Sequence, residues 1–330
     1  MSGSTGLVGR EIERYEVVEL LRGGDRAAEY RVRHTTLNSE HTLKVIQAGV
    51  RGGQMLERLR QQGEVQAQLR HENILPVTDI LDIDGQPGLI VKRFESVTLR
   101  AWIKSEEPDI PTALAVFEDI LSGVRVAHRA GLVHRDLTPD SIVMVRSEGR
   151  LVPKIADFGL VKVLGSAGLG TASDLMGSSI HGSCYVSPEQ LADPSNVDAR
   201  TDMHALGCIL FHMLAHQPPY RDDHVIRLLD KVNNGTYPDP EVAVPGIPAH
   251  VVELIRGLMA TARDERLPDC DVALHYLRKQ PGTASAGWAR DTTADAPAAV
   301  EPAAAPPTMM IGVAVVVVAI VAGVALFAMG

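Results

Sequence analysis

The hydrophobic pattern changes period partway along the chain. Near the start, apolar residues come in short runs: Tyr15-Glu16-Val17-Val18-Glu19-Leu20-Leu21, Glu29 to Arg33, and His41 to Ile46. Glycines and polar residues separate them, as hairpin loops require, so they read as strands. Leu56, Leu59, Val65 and Leu69 recur at helical spacing and predict a helix over 56–69. Leu89-Ile90-Val91 reads as a buried strand. Helical patterns then dominate: 112–129, 201–215, 223–233, 250–261 and 271–279. A β-rich first part followed by a helical part predicts a two-lobed α+β arrangement. Residues 1–14 read as a polar leader, and no internal repeat is present.

The far end follows a different rule. Residues 309–329 carry no charge and include Val315-Val316-Val317-Val318. About 20 helical residues span ~30 Å, the hydrocarbon thickness of a bilayer. A buried core helix would normally carry a polar face, which this run lacks. Upstream, 281–308 is rich in Pro, Ala, Thr and Gly without apolar period, the composition of a disordered tether. The expectation is a single C-terminal transmembrane helix on a flexible linker.

Composition narrows the function classes. The chain has 330 residues, 45% hydrophobic and 4% aromatic, so its core must be mainly aliphatic. The net charge of −9 argues against a nucleic-acid role, which would need a basic face. Cys184, Cys208 and Cys270 are odd in number and have no metal-site spacing, so reduced thiols are expected. No apolar segment of the secretory type follows Met1.

The chemistry lies in three short motifs. His134-Arg135-Asp136-Leu137 is followed by Asp157-Phe158-Gly159 and then Ser187-Pro188-Glu189. Each alone is weak, but their order and separation place the parts of one phosphoryl-transfer machine in sequence. With Thr42-Leu43-Lys44-Val45-Ile46, Leu69-Arg70-His71-Glu72-Asn73-Ile74, Tyr185-Val186-Ser187-Pro188-Glu189 and Asp198 to Gly207, the stretch 15–280 resembles the eukaryotic-type protein kinase family. Its wording is similar to the bacterial serine/threonine branch. The resemblance implies an N-lobe over about 15–93 and a C-lobe over about 94–280.

It also implies roles for single residues. Lys44 would contact the α and β phosphates of ATP. Asp157 would ligate Mg²⁺ (or Mn²⁺) bridging the β and γ phosphates. Asp136 would orient the attacking hydroxyl and receive its proton. His134 would brace the loop, and Glu189 and Arg266 would tie the activation segment to a late helix. Asp202 would cap the catalytic-loop backbone. Arg135 would lie in a basic pocket that a phosphorylated activation segment can neutralise. The segment 160–186 offers several Ser and Thr, and no one of them stands out.

Several parts depart from the family pattern. Of the glycine-rich loop, only Gly24 falls at a motif glycine, and Arg22 and Ala27 stiffen the cradle. Glu29 stands where an apolar residue would cover the adenine, and is expected to cost desolvation and repel phosphate. The helix acid that should pair with Lys44 falls on Gln62, with Glu64 about 200° further around the helix. Ser141 replaces the Asn that would bind the second Mg²⁺, and Thr138 replaces the lysine aimed at the γ phosphate.

The leading expectation is therefore a membrane-anchored serine/threonine protein kinase using ATP and Mg²⁺, with protein substrates and reduced activity. Tethering would also raise the chance that copies meet for autophosphorylation. The alternative is a pseudokinase scaffold that recruits partners at the membrane. A kinase-like fold acting on a small molecule is the third reading.

Overall fold

The computed structural model describes residues 6–23, 27–46, 64–147, 149–158 and 180–279. Gly24, Gln62, the linker over 281–308 and the apolar run over 309–329 lie outside the described residues.

The first lobe is an antiparallel sheet with strand order β1-β2-β3-β4-β6-β5. Its strands are β1 (Glu11–Ile12), β2 (Tyr15–Arg22), β3 (Ala27–His34), β4 (Glu40–Ile46), β5 (Val77–Ile83) and β6 (Gln86–Lys92). Period-two alternation decides which side chains go inward. Tyr15, Val17, Ala28, Tyr30, Val32, Leu43 and Val45 form a buried cluster on one face. Glu29 and Lys44 then fall on the opposite face, directly across from each other in the β3–β4 register. β5 and β6 join at Asp84-Gly85, both with positive φ, the geometry of a tight hairpin turn. β1 pairs with β2 and buries Ile12, so the sheet reaches back into the stretch read as a polar leader.

The second lobe is helical. α1 (Leu99–Glu106) and α2 (Ile110–Arg129) lead to the catalytic loop. A three-stranded sheet follows, β7 (Ser96–Thr98), β8 (Ile142–Ser147) and β9 (Arg150–Ile155) in that order. Next come α3 (Ile180–Ser183), α4 (Pro188–Ala192), α5 (Ala199–Ala215), α6 (Val225–Asn233), α7 (Pro240–Ala243), α8 (Ala249–Leu258) and α9 (Cys270–Leu277). α5 is buried on every side from Thr201 to Leu214, polar Thr201, Asp202, His204 and His212 included, making it the axis of this lobe. The predicted helix over 56–69 is seen at 64–68, the part within the described residues. Among the described residues no helix is long and apolar enough to cross a membrane.

Candidate active site

The cleft between the lobes has a volume of about 310 Å³. Glu29, Thr42 and Lys44 enter it from the sheet, Val91 to Phe94 from the connecting strand, and Asp136, Thr138, Ser141 and Asp157 from the second lobe. Strand alternation, the loop between α2 and β8, and the turn after β9 thus bring these residues together, Lys44 and Asp157 from 113 positions apart.

Lys44 is the centre of charge. Its Nζ donates to both carboxylate oxygens of Asp157, at 2.8 and 2.7 Å. The same ammonium lies 3.2 Å from Glu29 Oε1. The side chain is only 13% exposed. Burial alone would lower its pKa, but Asp157 and then Glu29 override this and hold it above the ordinary value. Glu29 therefore does not stand as an unpaired acid in the cleft. The carboxylate expected to repel phosphate is an ion-pair partner of Lys44. Glu64, the other helix acid considered, is exposed.

The catalytic loop is held by a chain of buried hydrogen bonds. Asp202, 1% exposed, accepts from the backbone N–H groups of His134 (2.7 Å) and Arg135 (2.8 Å). His128 Nε2 lies 2.8 Å from the same carboxylate. Burial would raise the Asp202 pKa, yet His128 and these donors bring it below the ordinary value, so it stays ionised. This anchoring supports Arg135 in a left-handed backbone conformation, φ 69°. The His134 ring accepts from Asp136 N–H at Nδ1 and, in that tautomer, donates from Nε2 to the Ala156 carbonyl at 2.7 Å. It thus links the loop carrying Asp136 to the backbone just before Asp157. The expectation that His134 braces rather than reacts agrees with this geometry. Asp157 itself has φ 65°, and its neighbour Phe158 is fully buried beside the His134 ring.

The altered positions behave differently. Ser141 Oγ donates to the Thr138 carbonyl (2.9 Å) and accepts from Thr138 N–H (3.1 Å). Its hydroxyl closes a turn and has one lone pair left. Of the protein groups here, a divalent ion would rest mainly on Asp157. Among the described residues no cluster of three or more His, Cys, Asp or Glu could hold a metal.

Beyond the cleft, Arg266 donates to both oxygens of Glu189, at 2.6 and 3.0 Å. Burial would raise the Glu189 pKa, but Arg266 brings it down to about 2. Gln190 Nε2 donates to the Arg135 carbonyl at 2.7 Å, tying α4 to the catalytic loop. Arg100 pairs with Asp140 at 2.8 Å and lies over the Tyr185 ring. Sequence reasoning missed the roles of Gln190 and His128. It also missed the Glu29–Lys44 contact, although a hairpin turning between Thr36 and Leu37 sets positions 29 and 44 opposite each other.

Known proteins agree with this architecture. Residues 15–277 match the protein kinase domain family. The serine/threonine-protein kinase PknL of Mycobacterium bovis is 31% identical over 253 residues, spanning 76% of this chain and 61% of PknL. PrkC of Bacillus subtilis is 28% identical over 261 residues, spanning 78% of this chain and 39% of PrkC. The chain thus corresponds to only part of the length of these relatives. Among solved structures, the kinase domain of Mycobacterium tuberculosis PknI superposes with a TM-score of 0.61 at 23% identity, over 82% of this chain and 97% of that domain. With the motifs set in one cleft and the match spanning both lobes, the chain belongs to the bacterial, eukaryotic-type serine/threonine protein kinase family.

Proposed function

We propose that the chain is a serine/threonine protein kinase that moves the γ-phosphoryl group of ATP to a protein hydroxyl. The observation that carries this reading is the convergence of Lys44, Asp157 and Asp136 on one cleft. The residues fit Mg²⁺·ATP. The cleft is in the size range of small-molecule sites, and it pairs a buried ammonium with a carboxylate suited to a hard cation. Mg²⁺, when bound with ATP, supplies charge neutralisation at the transferring phosphate. Asp157 would hold it, with Ser141 a weak second ligand. Lys44 would then exchange Asp157 for phosphate oxygens. Asp136 lines the same cleft and would hold the acceptor hydroxyl and take its proton. The braces from His134 and Asp202 fix Asp136 relative to Asp157, which is the positioning this chemistry needs.

The apolar run over 309–329 supports a membrane anchor, with 281–308 as tether and the kinase domain on the cytoplasmic side, where ATP and reduced cysteines belong. Activity is read as reduced, because Thr138 and Ser141 stand where a lysine and an asparagine would act. The second reading, a pseudokinase scaffold, is favoured by one observation: the Ser141 hydroxyl is already engaged by Thr138. Incubating the full chain with labelled ATP and Mg²⁺ or Mn²⁺ decides between them. Label on the protein, or on an added protein acceptor, that is lost in Asp136→Asn supports the kinase. No label, with ATP still bound, supports the scaffold.

A further inference from the structure

Lys44 has two anionic partners of different character. Asp157 sits in the turn after β9, in a left-handed backbone conformation, and is the residue a divalent ion would claim. Glu29 is the third residue of β3, across from Lys44 on a continuous antiparallel ladder. Side chains opposite each other on one sheet face are neighbours by construction. The Glu29 contact at 3.2 Å is longer than the Asp157 contact at 2.7 Å. If a divalent ion claimed Asp157, Lys44 would lose the nearer partner and keep the one on the sheet. Without a second carboxylate, the Lys44 ammonium would be free to follow Asp157 or to swing into solvent. By the resemblance, the position from which the family presents an acid falls on Gln62, which lies outside the described residues.

We propose that Glu29 is the positioning residue of Lys44: it holds the ammonium on the sheet face when metal claims Asp157, in place of a carboxylate supplied by a helix. This rests on the reading of the cleft as an ATP site. It makes a distinct claim about how the lysine is aimed, because its holder belongs to a rigid sheet and not to a helix that can move. The arrangement also explains why a carboxylate is tolerated where an apolar residue would cover a base. The competing view is that Glu29 merely repels phosphate or shapes the adenine roof.

The test is a cycle of variants in the full chain, read by calorimetric titration with Mg²⁺·ATP and by phosphotransfer. If Glu29 acts through Lys44, Glu29→Gln weakens Mg²⁺·ATP binding about fivefold or more in the parent. It changes binding less than about twofold in a Lys44→Met background, since coupled residues lose their coupling when one is removed. Glu29→Asp, shorter but still charged, recovers most of the loss. In phosphotransfer, Glu29→Gln lowers kcat at saturating ATP and not only the apparent affinity. Tighter or unchanged binding in Glu29→Gln overturns the proposal, as does an equal loss in both backgrounds. If Lys44→Met binds too weakly to titrate, Glu29→Asp decides: recovery supports the carboxylate, and a loss equal to that of Glu29→Gln overturns it. A parent that binds ATP but transfers no phosphate refutes the kinase reading alone, and the binding cycle still judges Glu29.

Discussion

At the residue scale, the proposed roles separate metal holding from acceptor holding. Asp157 is paired with Lys44, and the Ser141 hydroxyl is turned to Thr138. Nearly all protein-derived metal affinity should then rest on Asp157. Asp157→Ala is expected to abolish transfer and to remove the Mg²⁺ dependence of ATP binding, checked by titration with and without chelator. Asp136→Asn should leave ATP affinity within about twofold while cutting transfer by about 100-fold or more, the scale of general-base loss. Equal Mg²⁺-dependent affinity in Asp157→Ala and parent would show that another group holds the ion.

At the element scale, two contacts decide how the second lobe is locked. Arg266 is almost wholly buried and pairs with Glu189, joining α4 to the segment after α8. Removing one member leaves an uncompensated buried charge. Arg266→Ala is expected to cost about 3–5 kcal/mol in urea unfolding, because breaking a buried pair carries that penalty. Glu189→Gln should cost less, since the amide still accepts from Arg266. The second contact is the crossing of α5 and α8. A Cβ at Gly207 would lie 2.6 Å from Met259 Cγ and 2.8 Å from Leu258 Cβ. The glycine is there for close helix approach, not for backbone freedom. Gly207→Ala should destabilise by about 1–3 kcal/mol, as overpacking does, and an unchanged urea midpoint would refute the tight crossing. The carboxylate–arginine pair was legible in sequence through its motif context. The helix crossing was not, because one glycine in an apolar run carries no sign of what it faces.

At the scale of the whole molecule, buried histidines set the response to acid. Burial brings His204 down to about 3 and His212 to about 4. Both sit in α5, where protonation in the folded state would place charge in the core. The unfolded chain binds these protons near pH 6.5, so it holds more protons than the folded state between pH 6.5 and 4. Stability is therefore fully present above about pH 6.5 and falls as pH drops. Each histidine contributes of order 2 kcal/mol to the difference between pH 7 and pH 5. Glu189 acts in the same direction at lower pH, its contribution being lost between about 4.5 and 2. Urea midpoints across pH 4.5–7.5 should show this slope, and His204→Phe with His212→Gln should flatten it. At the same scale, deleting residues 309–330 should release the protein from membranes in a folded state. Protease added to intact cells should leave the domain intact. Sedimentation of the truncated protein with membranes would reject the anchor.

Local chemistry determined much of this protein in advance. Alternating β2 to β4 and the helical runs located two lobes, because periodicity is a property of the chain itself, and the family resemblance carried by the ordered motifs pointed to Lys44, Asp136 and Asp157. Asp84-Gly85 also carried a hairpin signal in two residues, although of the strands beside it only the second was read, through Leu89-Ile90-Val91. What only the tertiary structure decided were relations between distant positions. Glu29 looked like an intruder in an adenine site, and strand register made it a partner of Lys44. Ser141 looked like a weak metal ligand, and the loop turn engaged its hydroxyl. His128 looked like one more helix residue, and the packing of α2 on α5 set it on Asp202. A charge has no intrinsic sign of benefit or cost. Its neighbour and its solvent decide that, and both are products of the fold.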